Sequence, residues 1–519
     1  MRKLSISKIF FFGVVLIILV VGANSTAYTQ RLDSVKINLE SAFTISNQNY
    51  LPQWIVANRF GKFEDQSSNG YLMAGIHSPY LNKRNWDFAW GLDLLGNSEL
   101  SESRIHQGYA KIKYKFIELS AGWMERTVGV HRPDLSTGSW GISRNARPLP
   151  SIILAVPEYT PVPLTKGYLE FKGHIGHSWL EEDRYIANPL LHEKSFYLQG
   201  KGKSYPIKVY LGLVHFAKWG GTRPNGRELD SELVDYWRVI TGQNSRTAAG
   251  GGDFVNALGS HIGTIDFGFE LPLATGTLSF YHQDPFEDRL GITRYYFYDQ
   301  ISGLSWQREK GKLIQEILYE FTYSEHQGGP GIPDPPPGTD PLDLEPNFGY
   351  RYGGRDDYYN NFLYQSGWTF HQRSIGTPLF LTDQRSRQIG VNVTNYGEAF
   401  ISNRILAHHI ALAGNYQRVN YRLLTTYTRH SGTYAGLNDG RFNWGSREPN
   451  FDHENYFFFE PRHQASLLLE LERSFLPNRQ LQSTTAIAFD FGNLYQTFGL
   501  MLKLRWNLHP FDNSTSRKQ

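Results

Sequence analysis

The polar chemistry of this chain is densest in Ser139-Trp140-Gly141-Ile142-Ser143-Arg144-Asn145-Ala146-Arg147-Pro148-Leu149-Pro150, with Pro157, Pro161 and Pro163 close behind. Proline has a locked φ and no amide proton, so this stretch reads as irregular backbone of fixed shape and not as a paired strand. Guanidinium groups from Arg144 and Arg147, with the Asn145 amide, suit the hydroxyls or carboxylates of a sugar chain. The same run suits a plug packed inside a larger fold, and a plug can also line a site. A second group, Tyr281-His282-Gln283-Asp284-Pro285-Phe286-Glu287-Asp288-Arg289, reads as the join between two strands and is dense in carboxylates. Paired acids run glycoside hydrolysis when they face each other across a substrate. Sequence neighbours in a turn do not, so Asp284, Glu287 and Asp288 are assigned to ligand contact or to holding Arg289 and the loop. The third group runs from Asp356-Asp357-Tyr358-Tyr359-Asn360-Asn361-Phe362 to Tyr364, Gly367-Trp368 and Gly376-Thr377-Pro378-Leu379. Ring faces stack on sugar C–H groups and amides read hydroxyls, which makes Tyr359, Asn361 and Trp368 candidates. These rings fit an outer aromatic girdle of a membrane barrel equally well.

No catalytic set, metal site or cofactor site is expected. His408-His409 sits in an alternating stretch, which points the two imidazoles to opposite faces of a strand. His430-Ser431 matches no hydrolase arrangement, and Gly-x-Ser-x-Gly, His-Glu-x-x-His and phosphate-binding glycine loops do not occur.

Such residues need a scaffold, and the first residues indicate its compartment. Arg2, Lys3 and Lys8 precede the apolar run Ile9 to Val21, and Ser25-Thr26-Ala27 offers a small-x-small cleavage site. This is the layout of a secretory signal peptide over residues 1–27. The run is shorter than the ~20 apolar residues of a spanning helix, and the chain has no cysteine to carry a lipid. A mean hydropathy of −0.43 excludes a helical membrane bundle. The formal charge of +3, without a basic run, gives no footprint for nucleic acid. Length alone suggests several domains, yet no linker separates any. Aromatic residues make up 15% of the chain, and Gly 50 supplies many turns. Both favour one large closed sheet over 28–508, with a polar tail at 509–519.

Period-two alternation supports this. Leu500, Leu502, Leu504 and Trp506 alternate with Met501, Lys503, Arg505 and Asn507, and similar patterns occur at 117–124, 209–213 and 467–472. Strands are expected near 35–43, 70–77, 86–95, 106–115, 117–125, 165–175, 195–202, 207–217, 262–271, 275–284, 293–301, 312–324, 362–371, 388–395, 405–416, 421–431, 463–474, 481–490 and 494–507. That is nineteen, whereas a single-chain bacterial barrel has an even number, so about eighteen are expected, with one assignment between 126 and 202 in error. Counted back from the C-terminus, the long segments 432–462, 325–361 and 218–261 fall on the outer side and tight turns such as 417–420 on the periplasmic side. Segment 126–164 breaks this rule. Seven prolines make 325–347 a stiff excursion, and 228–243 reads as an amphipathic helix on the rim or in the lumen.

Taken in order, several segments resemble the capsule assembly Wzi family in the form found in Bacteroidetes. They are Ser143 to Pro150, Leu258-Gly259-Ser260-His261, Tyr281 to Asp288, Tyr358 to Leu379, Asn403 to Ile410 and Ser431-Gly432-Thr433-Tyr434. The resemblance spans roughly 35 to 508. It implies an outer-membrane barrel of eighteen strands closed by internal loops and helices. It further implies a lectin for capsular polysaccharide at the cell surface, not an enzyme or an export channel. Two departures are visible: little room for a helical segment between Ala27 and Val35, and the polar tail after the last strand. The expected reading is an all-β, monomeric transmembrane barrel with plug loops, partnered by surface polysaccharide and outer-membrane lipid. The rival is an outer-membrane porin or saccharide channel, which needs the same barrel.

Overall fold

In a computed structural model, the described residues are 34–508, apart from 82–84, 203–205, 248–256, 288–297, 309–312, 328–356, 392, 394–397, 434–455 and 476–479. The expected leader, the polar tail, Gly250–Gly252, Asp288, Tyr434 and nearly all of the proline-rich excursion therefore lie outside them.

Alternating side chains form eighteen strands in one sheet. In chain order they are β1 (Lys36–Ser46), β2 (Gly70–Ser78), β3 (Trp86–Asn97), β4 (Arg104–Tyr114), β5 (Ile117–Trp123), β6 (Pro150–Pro161), β7 (Leu169–Trp179), β8 (Leu190–Lys201) and β9 (Lys208–Trp219). They continue as β10 (Ser260–Leu273), β11 (Gly276–Phe286), β12 (Gln300–Gln307), β13 (Glu316–Tyr323), β14 (Ile405–Tyr416), β15 (Val419–His430), β16 (Arg462–Ser474), β17 (Leu481–Gly492) and β18 (Thr497–Leu508). Each strand pairs antiparallel with the next. β18 returns to β1, from Ile37 opposite Leu508 to Ser46 opposite Gly499. Closure leaves no unpaired edge, which is the condition for a sheet to cross a membrane.

The two faces separate by chemistry. On β1, Leu39, Phe43 and Ile45 are exposed, while Glu40, Ala42 and Thr44 between them are buried. On β18, Leu500, Leu502 and Leu504 point outward and Met501 inward. An outward apolar row of this kind belongs in lipid. Exposed Trp86, Tyr114, Phe116, Tyr168, Tyr416 and Phe475 flank the short turns, and Tyr427, Phe489 and Phe491 lie toward the other end, as two aromatic girdles. Other tyrosines point inward. Tyr197 lies over Gly212 and Tyr281 over Gly303, where a Cβ would meet the ring at 2.1 Å. Glycine there lets an aromatic cover the neighbouring strand.

Two of the expected strands are not part of the sheet, and one strand was not expected. In segment 362–371, Leu363 and Tyr364 pack on the loop residues Ile186 and Leu229, and Thr369–Phe370 pairs with Arg373–Ser374 and not with the barrel sheet. Segment 388–395 begins where the short helix Asp383–Gln388 ends, and Gly390 follows at φ 77°. Apolar residues such as Leu363, Trp368, Ile389 and Val391 are buried away from the sheet, and this mimicked strand patterning in both. The unexpected strand is β6, hidden by its prolines. Pro150 and Pro161 are its terminal residues, and Pro157 sits where the register against β7 shifts between Val156 and Thr160. Strand ends and bulges are the places where a sheet tolerates proline. Removing two from nineteen and adding one gives eighteen. The expected strand at 293–301 is replaced by β12 at Gln300–Gln307.

With β6 in place the loop rule holds throughout. The strand ends joined by 47–69, 124–149, 220–259, 324–404 and 431–461 all lie at one end, and those joined by the tight turns 115–116, 274–275 and 417–418 at the other. Three long connections turn back into the barrel: 47–69, carrying α1 (Gln53–Val56), 124–149, and the described part of 324–404. Their rings Trp54, Trp140, Tyr358, Tyr359, Trp368, Phe380 and Phe400 form one core with the inward residues Phe216, Ile301, Leu318, Leu424 and Leu468. The lumen is plugged. The expected amphipathic helix is α2 (Leu233–Thr241). It lies outside the barrel, against the outward residues Leu190, Ala217 and Trp219. The helix Asp383–Gln388 is α3.

Candidate functional site

The plug is stitched to the wall by polar groups that would be costly to bury unpaired. Trp54 Nε1 donates to Thr426 Oγ1 on β15 at 3.0 Å. The Trp140 amide donates to Gln283 Oε1 on β11 at 2.9 Å, and the Thr137 amide to Glu320 Oε1 on β13 at 2.9 Å. Arg59 pairs with Glu470 on β16 at 2.7 Å, and Arg126 with Glu193 on β8 at 2.8 Å. His409 points inward, with Nε2 2.6 Å from the carbonyl of Leu135, while its neighbour His408 faces out against Tyr319.

The Arg-Asn-Ala-Arg run crosses this plug. The Ser143 amide donates to the Ile375 carbonyl at 2.8 Å and Ser143 Oγ to the Gly376 carbonyl at 2.5 Å. Asn145 Nδ2 donates to the Ser374 carbonyl at 3.0 Å. Alternate side chains then face different spaces. Asn145 lines an outer pocket at the long-loop end. Arg144 lines an inner vestibule of about 670 Å³ toward the short-turn end, with Lys36, Arg59, Lys62, Lys503, Glu40 and Glu125. Arg144 is ion-paired to Asp134. Arg147 is held by Glu102 and by Glu64 at 3.5 Å.

The outer pocket, about 80 Å³, is lined by Gln53, Asn145, Gln372, Arg373, Arg385, Thr428, His430, Gln464 and Tyr495. Arg385, on α3, is its most distinctive group. Its guanidinium lies 5.7 Å from the ring centres of both Tyr50 and Tyr495, which meet edge to face at 5.6 Å. Nη2 donates to the Leu51 carbonyl at 2.5 Å, and the Tyr495 hydroxyl, which itself donates to Asp490 at 2.9 Å, interacts with the same guanidinium. Burial alone would lower the basicity of Arg385, but Asp65 and Asp490 hold it charged. Arg373 is fixed by the Phe63 carbonyl at 2.5 Å and Asp65 at 3.3 Å. Gln372, beside it, is exposed at φ 61°. Amides, guanidinium groups and hydroxyls on a rigid wall, with two half-exposed tyrosines, are suited to a polyhydroxylated ligand.

The sequence candidates are distributed unevenly around this pocket. Asn145 is in it. Tyr359 and Trp368 are buried in the plug core and form no girdle. The Tyr359 hydroxyl donates to the Trp140 carbonyl at 2.5 Å, and Trp368 Nε1 to the Gly141 carbonyl at 2.9 Å, with its ring 5.3 Å from Phe216. Inside the barrel their polar atoms find carbonyl partners and their rings lose water. Asn361 Oδ1 accepts the amides of Leu363 and Tyr364, each at 3.0 Å, as a turn-former. Glu287 accepts the Tyr359 amide at 2.9 Å. Asp284 is buried within strand β11 and not in a turn. Gln53, Gln372, Arg373, Arg385 and Tyr495 were not anticipated. A signal existed, because Gln372-Arg373 and Gln384-Arg385 repeat the amide-plus-guanidinium composition of the Arg144–Arg147 run.

Comparison with known proteins bears on this architecture. The family model for capsule assembly protein Wzi matches residues 26–323. Among solved structures, Wzi of Escherichia coli, an outer-membrane protein involved in group 1 capsule assembly and a carbohydrate-binding β-barrel, aligns at 12% identity. That alignment covers 92% of this chain and 86% of that one, with a TM-score of 0.54. OccK10 of Pseudomonas aeruginosa aligns at 9% identity over 92% and 98% of the two chains, TM-score 0.41. OccAB4 of Acinetobacter baumannii aligns at 9% over 91% and 97%, TM-score 0.43. Among curated protein sequences the chain finds no match. The family match runs from ahead of β1 to the end of β13, over more than half of the chain, and the barrel is shared with a solved outer-membrane member. This outer-membrane β-barrel belongs to the capsule assembly Wzi family.

Proposed function

We propose that this protein holds surface polysaccharide at the outer pocket, and so retains or organises capsule during its assembly, as a lectin and not a conduit. The observation that carries the reading is the pairing of a plugged lumen with an outward pocket walled by the Arg373 and Arg385 guanidinium groups and the Gln53, Asn145 and Gln372 amides. Guanidinium and amide N–H groups held on a rigid wall can donate to sugar hydroxyls or carboxylates. Family membership supports the same reading, as does the carbohydrate binding of the Escherichia coli protein. Asn145 is proposed to touch the glycan alongside Arg385 and Gln372. Arg144, Arg147, Glu287 and Asn361 are proposed to hold the plug in shape, with Tyr359 and Trp368 as its packing. One chain builds the whole pocket, so a monomer suffices. No bond-breaking step is assigned to it.

The test pairs a glycan array with a folding assay on protein in lipid vesicles. Arg385→Gln with Asn145→Ala should lose glycan retention by tenfold or more while the barrel still assembles. Retention at the wild-type level in a folded variant overturns the assignment. The channel alternative predicts stepwise ion conductance from the intact protein, and the lectin reading predicts none.

A further inference from the structure

Helix α2 occupies a place that the plug and the glycan site do not explain. Strand register aligns His177, His192, Ala217 and His261 in one row across β7 to β10. Along β9, Val209, Leu211 and Leu213 are exposed to the outside, while Phe216 packs on the plug residue Trp368. His215, Ala217 and Trp219 share the outward parity, so the row faces out. It is nevertheless largely covered: His192 and Ala217 have no exposure, Trp219 has 2%, and His177 and His261 are half-buried. The cover is α2. Tyr236 stacks on Trp219 at 5.5 Å and sits 5.4 Å from both His177 and His192, and its hydroxyl is 3.2 Å from His192 Nδ1. Lys194, also outward, donates to the Ile240 carbonyl near the helix end.

Height along the barrel follows from strand length. A tilted strand crosses the hydrocarbon core in ~9–11 residues, and counting about ten from Lys208 at the short-turn end reaches Ala217. That height is the outer edge of the hydrocarbon, where imidazoles and an ammonium group carry a smaller penalty against lipid than at mid-bilayer but still gain from being covered. The helix shields them, and its other face is apolar: Leu233, Val234 and Trp237 are 89%, 45% and 62% exposed. This face continues the lipid-facing band of the strands below it. The helix is built to persist, with a capping box between Glu232 and Asp235 and Gly242 in the left-handed region as its C-cap.

We propose that α2 is an in-plane membrane helix, seated on the outer wall within the outer leaflet, whose Leu233, Val234 and Trp237 contact lipid acyl chains in place of the polar strand row it covers. The absence of cysteine from the chain allows a direct test. Leu233→Cys and, separately, Trp237→Cys are labelled with a nitroxide in the full chain reconstituted into dioleoylphosphatidylcholine vesicles. Power saturation then compares collision with oxygen, which partitions into lipid, and with a water-soluble nickel chelate. Leu211→Cys on the same wall supplies the lipid reference, and Arg227→Cys in the loop supplies the aqueous one. The expected result is that both helix labels match the Leu211 reference, with oxygen accessibility severalfold above nickel accessibility. Labels that match Arg227 would place the helix in water and overturn the proposal. Labels shielded from both reagents would overturn it too, since the face would then be covered by protein. The outcome is independent of glycan binding.

Discussion

Leu502 and Lys503 are adjacent, yet one meets lipid and the other lines the inner vestibule. Arginine at Leu502 should cost ~2–4 kcal/mol near mid-bilayer, whereas alanine at Lys503 should fold almost normally. Folding yields in lipid vesicles check this, and equal yields would mean that the assignment of the faces or of the architecture is wrong. Trp368 is buried where the plug meets the wall, its ring against Phe216 and Lys218 of β9, so Trp368→Ala should destabilise the plug by about 3–5 kcal/mol. The change should appear as faster proteolysis of the plug, where a sugar-stacking role would show only in affinity. A third residue-scale effect concerns Glu398, which lies outside the strands beside Asp357. Burial, and then the facing Asp357 carboxylate, push Glu398 up to about 10. Thr433 Oγ1 donates to it at 3.2 Å, and Asn360 Nδ2 donates to Asp357 at 3.1 Å. The folded form thus keeps a proton that an unfolded carboxyl releases near its ordinary ~4.3. The stability this proton contributes is complete below that value and is lost as pH rises toward 10. Protease resistance of the plug should fall between pH 5 and 9 in the native protein and stay flat in Glu398→Gln; parallel slopes would show that the pair is irrelevant.

Among the elements, the β14–β15 hairpin turns on Gln417 and Arg418, at φ 47° and 70°. Two-residue hairpin turns with both central residues in the left-handed region match the twist of the strands, and glycine or asparagine fills them at least cost. Arg418→Gly should relieve strain by more than the added freedom of the unfolded chain costs, for a gain of up to ~1 kcal/mol. A urea midpoint that shifts downward would contradict this. β6 carries a different lesson. Its prolines argued against a strand, but the ladder needs amide protons only where a partner accepts them, and Pro150, Pro157 and Pro161 fall at the ends and at the register shift. The plug segment 124–149 shows the reverse relation: irregular backbone is accommodated within the barrel because wall residues such as Gln283 and Glu320 accept its amides.

For the whole molecule, the consequence is a closed barrel. The core around Trp54, Trp140 and Trp368 separates the outer pocket from the inner vestibule. Intact protein in a planar bilayer should give no stepwise conductance, and a variant lacking residues 131–147 should conduct. Conductance by the intact protein would revive the porin alternative. Fractionation is expected to place the mature chain in the outer membrane.

Much of this was legible from local pattern alone. Period-two alternation identified most of the strands, because a barrel wall has lipid on one face and a packed or wet interior on the other, and each strand carries that difference in its own residues. The apolar run Ile9 to Val21, the lack of cysteine and the aromatic content pointed to the compartment in the same way. The ordered segments from Ser143 onward carried the family resemblance. What local pattern could not supply was which long connections enter the lumen. Residues 362–371 and 388–395 have apolar side chains at strand-like positions, and described ones such as Trp368, Phe370, Ile389 and Val391 are buried away from the sheet. Tyr359 and Trp368 have the composition of a sugar platform, yet their rings pack inside the barrel. Arg385 and Asn145 are far apart in the chain and share a pocket only because the plug stitches 143–145 to 374–376. Helix α2 was legible as an amphipathic helix, but not the side of the wall on which it lies. That side depends on the cross-strand alignment of His177, His192 and His261 beneath it, which exists only once the barrel has closed.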